Sequence, residues 1–277
     1  RQLHIPPNVM LHPKTNNDMI KNIRILGLLA ILISSGCDND ENKLPSGIYL
    51  KKVIYHQNVD QIRHYYYNDH GLLSKREYEF NNVISERFEY QYENGKVTRI
   101  DYYGLNSLDD YTLYHKEYLI YEYAMDNIIK STKYPDLTIN EYEYTNDRVI
   151  KIIHPSDSYT EYQYGNSGNI EYATLFKDGI EYWKVTYKYD SKRNPFYNIE
   201  PIHDNFGGVD FIRYKCPNNL TYEIFVNENN DTISESEYIY EYGLNDLPTL
   251  SYELFTSESN GYERDSIHTQ LYEYEIK

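Results

Sequence analysis

Hydrophobic and polar positions of this chain alternate along short segments that share one pattern. Each segment has a tyrosine, one mostly polar residue and a second tyrosine, then a few turn-forming residues and a β-branched or aliphatic run. Self-similarity of this kind is the sequence signature of repeat proteins. The units begin at Tyr65, Tyr90, Tyr121, Tyr142, Tyr162, Tyr187 and Tyr240, and a closing Tyr-Glu-Tyr begins at Tyr272.

Each unit predicts a β-hairpin. Period-two alternation, as at Phe88, Tyr90 and Tyr92, marks the strand that enters the turn, and Asn-Gly or Asn-Asp pairs mark the turn itself. Successive side chains of a strand point to opposite faces, so both tyrosines of a pair share one face and the residue between them lies on the other. One face is therefore aromatic, and the opposite face is charged.

Hairpins joined in series predict an all-β fold, an antiparallel meander of about 14 to 16 strands with no helix beyond an N-terminal signal helix. The gap between Tyr187 and Tyr240 predicts an insertion or a degenerate unit, and the segment from Asn218 can supply the missing hairpin. The meander either curls into a barrel-like body or stays an open single-layer sheet. Curling is favoured, because the exposed edges of an open sheet promote aggregation. A transmembrane barrel is disfavoured, because aromatic residues fill every strand and the alternating face is charged.

Residues 19–36 have the pattern of a lipoprotein signal peptide. Lys21 and Arg24 precede an apolar run from Ile25 to Ile33, which is too short to span a bilayer and ends in small residues. The Ser-Ser-Gly-Cys sequence ending at Cys37 resembles a bacterial lipobox, although Ser34 stands where that family has an aliphatic residue. The resemblance implies cleavage before Cys37 and its lipidation, which tethers the protein to a membrane without spanning it.

The rest of the chain divides into an upstream extension without structural pattern (1–18), an acidic linker (37–47) and the hairpin-repeat domain (48–277). The acidic run directly after Cys37 resembles the export signal of Bacteroidota lipoproteins, and it equally fits a solvated linker. The resemblance implies an exported protein that is lipid-anchored in the outer membrane and exposed at the cell surface.

Composition and charge exclude several fold classes and one class of partner. Of 277 residues, 35 are tyrosine, which argues against disorder and leaves too few aliphatic residues for a helical or α/β core. From Cys37 onward there are 23 basic and 42 acidic residues, a net charge of −19, which excludes nucleic acid as a partner. With Cys37 lipidated, Cys216 remains as a single cysteine, and its context predicts a small buried side chain.

Catalytic motifs do not occur in the sequence. There is no nucleotide-binding loop, zinc-protease helix or nucleophile elbow, and the seven histidines after residue 37 are scattered. We therefore expect no enzyme activity, catalytic residue, metal or cofactor. Tyrosine offers the one positive hint, since its ring can stack on a sugar while its hydroxyl forms hydrogen bonds.

Most tyrosines of the repeat are interpreted as core, because cross-strand aromatic pairs stabilise sheets. Aromatic residues outside the repeat are better candidates for a binding surface, although no ligand-binding residue is assigned. They are Tyr102, Tyr103, Tyr111, Tyr114, and Trp183 beside Tyr182.

The units resemble the tyrosine-aspartate (YD, or RHS) repeats. The sixth unit, Tyr187 to Phe196, is similar to the YD-x-K-x-NPF signature of short Bacteroidota surface lipoproteins, and Asn218-Asn219 resembles the Asn-Asn element that follows it. The other units lack aspartate at its usual place. Together with the lipobox, the resemblance implies a non-enzymatic surface lipoprotein that binds or adheres to a glycan or an envelope protein. The alternative is a purely structural envelope protein that encloses a lumen.

Overall fold

The structure is a computed structural model that describes residues 47–56, 60–107, 110–199, 209–257 and 264–276. Its sixteen strands form one closed antiparallel barrel in which each strand pairs with its sequence neighbours. The predicted all-β meander is confirmed, and of its two shapes the closed one forms. Residues 1–46, which include the predicted signal peptide and Cys37, lie outside the described residues.

The strands are β1 (Ile48–His56), β2 (Gln61–Tyr67), β3 (Leu73–Phe80), β4 (Val83–Glu93), β5 (Lys96–Ser107), β6 (Asp110–Ala124), β7 (Asn127–Tyr134), β8 (Thr138–Thr145), β9 (Arg148–His154), β10 (Ser158–Tyr164), β11 (Ile170–Lys177), β12 (Ile180–Arg193), β13 (Asn218–Asn227), β14 (Thr232–Tyr242), β15 (Pro248–Ser257) and β16 (Arg264–Ile276). One short helix, α1 (Val209–Lys215), lies between β12 and β13. A 3-10 turn at Leu244–Asp246 joins β14 to β15. The hairpin expected from Asn218 is thus β13 and β14.

Tyrosine pairs end the even-numbered strands, so the turns that follow them lie at one end of the barrel, which we name the turn end. The Asn94-Gly95 turn has φ angles of 51° and 78°, and the Asn146-Asp147 turn has 51° and 59°. Two residues with positive φ make a type I′ turn, whose twist matches that of the flanking strands. The sequences Asn-Gly and Asn-Asp therefore set the positions of these two turns.

The first tyrosine of seven of the eight pairs lies in the barrel core, as the repeat predicts, and in β14 the buried tyrosine is Tyr238, two residues before the pair that begins at Tyr240. The residue between the two tyrosines is exposed on the outer wall in seven units, at Gln91, Glu122, Glu143, Gln163, Lys188, Glu241 and Glu273. The aliphatic residue after each turn is also buried, for example Leu73 and Val97. The buried first tyrosines are Tyr65, Tyr90, Tyr121, Tyr142, Tyr162, Tyr187 and Tyr272, each 8% exposed or less.

The second tyrosine, or in the β14 unit the first tyrosine Tyr240, has a different role: its hydroxyl donates a hydrogen bond to a backbone carbonyl of the preceding hairpin. We name these bonds the tyrosine latches. They join Tyr67 to Leu50 (3.0 Å), Tyr92 to Leu73 (2.7 Å), Tyr123 to Val97 (2.8 Å), Tyr164 to Val149 (2.9 Å), Tyr189 to Ile170 (2.7 Å), Tyr240 to Leu220 (2.9 Å) and Tyr274 to Pro248 (2.9 Å). The Tyr144 hydroxyl instead accepts a hydrogen bond from the backbone of Ile128, a bond that lowers its pKa. Each hairpin is thus fixed to the one before it.

Replacing a latch tyrosine by phenylalanine removes only the hydroxyl. For Tyr164→Phe we expect a loss of about 1 to 2 kcal/mol in the free energy of unfolding, because the Val149 carbonyl loses its donor in a buried place. Urea unfolding measures the loss. The matched control is Tyr182→Phe, at a tyrosine that is 52% exposed, where we expect a change within about 0.5 kcal/mol. Equal midpoints for the two variants would show that the latches contribute nothing.

Residues 194–199 and 209–217, between β12 and β13, fold into the barrel and together form what we name the plug. Phe196 contacts Tyr65 on β2 and Tyr272 on β16, with ring centroids 6.4 and 6.1 Å apart. Phe211 contacts Tyr162 on β10, at 4.7 Å. Because β10 lies opposite β2 in the ring of strands, the plug crosses the lumen.

The plug is the insertion that the sequence predicts. Its helix is not predicted, because a segment of seven residues is too short for a helical period to be recognised in the sequence. Phe211, Ile212 and Tyr214 of α1 are nevertheless almost fully buried. No helix in the described part of the chain is long and apolar enough to cross a membrane.

Candidate functional site

A cavity of about 670 Å³ opens at the turn end of the barrel. Its walls include the second tyrosines of five consecutive units, and the aliphatic residues of the outgoing strands form its floor. The volume lies within the usual range for small-molecule sites. The five tyrosines are Tyr67, Tyr92, Tyr123, Tyr144 and Tyr164.

The plug gives the cavity its position. Around a small void on the other side of the barrel, Tyr189, Tyr240 and Tyr272 lie with the plug residues Asn194 and Phe196. The plug therefore covers the units of β12, β14 and β16 and leaves the five units from β2 to β10 open. Tyr197, Asn198, Ile199, Lys215 and Pro217 form the plug's side of the cavity wall.

Asn194, from the signature of the sixth unit, anchors the plug. It is 4% exposed, and its side-chain amide donates to the carbonyls of Arg213 (2.5 Å) and Cys216 (2.8 Å). Its side-chain oxygen accepts the amide hydrogen of Phe196, at 2.9 Å. One amide group thus ties the start of the plug to its end.

Asp190 and the Asn-Asn element complete the anchor. The Asp190 carboxylate accepts the backbone amides of Lys192 (2.9 Å) and Asn219 (3.2 Å), and it also accepts the hydroxyl of Tyr242. The Asn218 side chain donates to the Lys192 carbonyl at 3.0 Å. The signature residues therefore build the turn into the lumen, which is a positioning role for the cavity wall.

Charges of both signs line the rim. The Lys96 ammonium lies 2.9 Å from Asp126 and 5.4 Å from the ring centroid of Tyr123. The Arg148 guanidinium lies 5.4 Å from the ring centroid of Tyr164, and Asp147 lies beside it in the turn. A rim of mixed sign with aromatic walls suits an uncharged ligand that has many hydroxyls better than it suits an ion.

Burial keeps the wall tyrosines neutral. Desolvation raises the pKa of Tyr123 to about 12, and it raises the pKa of Tyr144 and Tyr164 further. Because the hydroxyl protons of Tyr123 and Tyr164 are used in the latches, these two residues offer a ligand their rings and the acceptor side of the hydroxyl.

Alkaline pH should therefore unfold the barrel. A phenol whose pKa is raised on folding stabilises the folded state below its unfolded pKa of about 10, and that contribution is lost as pH rises through the folded value. For Tyr123 the window runs from about 10 to about 12. We expect the tyrosinate absorbance of the latch residues to appear together with loss of the β-sheet circular dichroism signal. Complete ionisation of all tyrosines at pH 10.5 in a folded barrel would contradict this.

The aromatic residues predicted as a binding surface are not brought together. Tyr102 and Trp183 turn into the barrel and pack against Phe88 (5.0 Å) and Phe225 (5.2 Å). Tyr103 packs against His115 on the outer wall, at 5.2 Å. Tyr111, Tyr114 and Tyr182 are exposed, by 70%, 40% and 52%, on other strands or strand ends.

The residues that do line the cavity are second tyrosines of the repeat, which the sequence pattern assigns to the core. Their position beside the turn is the signal that separates them from the first tyrosines, which lie deeper in the barrel. The pattern treats the two tyrosines alike, so sequence reasoning missed the site.

Cys216 is a small buried residue, as predicted. It is fully buried, and burial raises the pKa of its thiol to about 11, while its sulfur accepts the Ile170 amide at 3.4 Å. Among the residues that the structure describes, no group of three or more His, Cys, Asp or Glu side chains is placed to hold a metal ion.

Comparison with known proteins identifies the fold of this chain but assigns it to no family. No protein-family model matches the chain, and no curated protein matches it in sequence. A porin-like protein from Bacteroides uniformis ATCC 8492 is similar in structure, with a TM-score of 0.53 and 14% identity over 82% of this chain and 96% of that chain. At this identity the likeness shows the fold alone, that of a β-barrel.

Two other structures overlap less well. A porin-like protein from Bacteroides vulgatus ATCC 8482 has a TM-score of 0.40 and 11% identity, over 80% of this chain and 97% of that chain. A chain of the TcdB2-TccC3-Cdc42 crystal structure has a TM-score of 0.26 and 11% identity, over 76% of this chain and 14% of that chain. Neither overlap carries an argument about this protein.

Proposed function

We propose that this protein is a non-enzymatic, lipid-anchored protein of the bacterial outer membrane that binds a glycan in the tyrosine-walled cavity. The observation that carries the proposal is the arrangement of five tyrosine rings around a cavity of about 670 Å³. The envelope location is supported by the signal peptide and lipobox pattern that ends at Cys37. The porin-like protein of Bacteroides uniformis with similar structure is consistent with that location.

The cavity offers the two kinds of contact that a sugar needs. Tyrosine rings can pack on the apolar C–H faces of a sugar ring, and they do so at low entropic cost because latched side chains are already ordered. Asp126, Asp147 and Asn198 on the lining provide hydrogen-bonding groups for sugar hydroxyls. Turns at the open end leave the ligand free to extend into solvent.

The outer wall supports attachment through lipid. Ion pairs recur around it, as at Lys52 with Glu273 (3.6 Å), Arg87 with Glu77 (2.8 Å), Lys130 with Glu122 (2.8 Å) and Lys151 with Glu161 (3.6 Å). Charged side chains are costly on a wall that faces hydrocarbon. We therefore place the barrel in water, held at the membrane by the acylated Cys37.

A glycan array followed by calorimetry tests the proposal. We expect reproducible binding to at least one glycan, and we expect Ser167→Trp to weaken it at least tenfold by filling the cavity, of which Ser167 is a lining residue. The matched control, Tyr182→Trp, adds a similar ring at an exposed site outside the cavity and should bind normally. Absence of glycan binding, or equal binding by both variants, would overturn the proposal.

A structural role without a ligand is the second candidate. It is favoured by the plug that crosses the lumen and by the latches, which use the tyrosine hydroxyls within the barrel itself. Proteinase treatment of intact cells separates the two candidates further, because a surface receptor should be released and an internal assembly protein should stay protected.

A further inference from the structure

The chain enters the barrel at the opening of the cavity. Gly47, Ile48 and Tyr49, at the start of β1, are lining residues of the cavity. The Tyr49 ring packs against the wall tyrosine Tyr67, with ring centroids 4.9 Å apart. β1 starts at the turn end because it pairs antiparallel with β16, which ends there, so that Ile48 lies opposite Ile276. The segment that precedes Gly47 is therefore attached beside the opening.

The lipid anchor of the proposed function lies a short distance along the chain from this opening. Nine residues separate Cys37 from Gly47, so a fully extended chain would span only about 35 Å between them. A strand of 10 residues, such as β13, with the tilt usual in barrels makes a wall about 25 Å high. A barrel whose cavity faces away from the membrane would need most of the span to pass its own wall. The short connection thus favours a cavity that faces the membrane.

We infer that the cavity takes the uncharged saccharide headgroup of a lipid in the membrane that anchors the barrel. The inference rests on the proposed function, both for the sugar in the cavity and for the acylated Cys37. An uncharged headgroup is favoured because charges of both signs line the rim, where Lys96 lies 2.9 Å from Asp126. The net charge of −19 from Cys37 onward repels anionic headgroups.

A lipid headgroup gains from being held in the same membrane as the barrel. Two partners anchored in one layer meet at an effective concentration of about millimolar, as linked binding modules do. A cavity that contacts its ligand mainly through tyrosine rings, such as Tyr92 and Tyr123, therefore needs only modest affinity to be occupied. A glycan that arrives from solution has no such gain, and it must also pass between the turn end and the membrane.

Labels at the two ends of the barrel test the orientation of the acylated full chain. Cys216 is fully buried and Cys37 carries lipid, so a new exposed cysteine supplies the reactive thiol. Met125 is an exposed turn residue at the turn end, and Asp178 is an exposed turn residue at the opposite end. In phosphatidylcholine vesicles that contain an acceptor dye, we expect energy transfer from labelled Met125→Cys to be at least twice as efficient as from labelled Asp178→Cys. Equal transfer, or stronger transfer from Asp178→Cys, would overturn the inference.

Access of the glycan tests the ligand. The probe is the glycan that the array identifies, carried on a bead too wide to enter a gap of about 35 Å. Vesicle-anchored protein should bind these beads at least tenfold less than detergent-solubilised protein does. A flexible insert of about 30 residues between Ser46 and Gly47 should restore bead binding. The matched control, the same insert between Asp178 and Gly179 at the opposite end, should leave it blocked.

Competition by a glycolipid completes the test. The same glycan, mixed into the vesicles as a lipid headgroup, should reduce binding of the soluble glycan by the anchored protein at least tenfold. Unhindered bead binding by the anchored protein, or no competition by the glycolipid, would overturn the inference while the glycan proposal stands. A glycan array without any binding would instead remove the proposed function, and the inference with it.

Discussion

A chain that ends at Gln270 is expected not to fold into the barrel. The barrel closes where β16 pairs with β1, and this truncation removes the paired positions from Leu271 opposite Ile54 to Ile276 opposite Ile48. It also removes the buried Tyr272 and the Tyr274 latch to Pro248. Loss of the Tyr272 ring alone costs about 2 to 3 kcal/mol, and two opened edges add an aggregation route, against a typical stability of about 5 to 15 kcal/mol. Circular dichroism and gel filtration should show loss of the compact β-fold.

A circular permutant is the control for this truncation. Because Ile48 lies opposite Ile276, β16 and β1 form a hairpin that lacks only its turn. We expect a chain in which Asn-Gly joins Ile276 to Ile48, with new termini opened at the Asp178-Gly179 turn, to fold to the same barrel. A truncated chain that remains folded, or a permutant that fails to fold, would show that folding of the barrel does not depend on the pairing of β16 with β1.

The second large effect is expected for Asn194→Asp. The substitution replaces the buried amide that donates to the carbonyls of Arg213 and Cys216 by a carboxylate that can only repel them. An unpaired buried charge and two lost bonds should cost about 3 to 5 kcal/mol, measured by urea unfolding. The cost appears because the group is almost fully buried, at 4% exposure.

Asn146→Asp serves as the matched control, since Asn146 is an exposed turn residue with a φ of 51°, which aspartate also tolerates. We expect its effect on the unfolding free energy to lie within about 0.5 kcal/mol. If Asn194→Asp changed stability as little as the control does, the signature would not anchor the plug.

Much of the fold is local in origin, and this part is predictable. The tyrosine pairs, the turn residues and the aliphatic runs define strands, faces and turns within each hairpin, and the structure has them where the pattern predicts. Gln91 and Glu122 face outward for the same reason that Tyr90 and Tyr121 face inward: a strand alternates its side chains.

The cavity is not local in origin. Tyr92 and Tyr123 are 31 positions apart along the chain, yet both line one wall, and the opposite wall comes from the plug. The plug has no sequence periodicity from which its position could be predicted. Its buried residues contact strands on opposite sides of the barrel. The sequence pattern therefore predicted tyrosines outside the repeat as binding candidates, whereas the cavity uses tyrosines within it.

The hairpins, their order and the aromatic face are encoded locally in the sequence, because they depend on the two-residue period of a strand and on the φ angles that Asn and Gly allow in a turn. Three features follow instead from long-range packing: the meander closes, residues 194–199 and 209–217 fill one side of the lumen, and five second tyrosines border an open cavity. Those outcomes depend on contacts between distant parts of the chain, such as β1 with β16 and Phe196 with Tyr65. Sequences with the same strand pattern could form different long-range contacts. The closure of the barrel, the position of the plug and the cavity therefore cannot be predicted from the strand pattern.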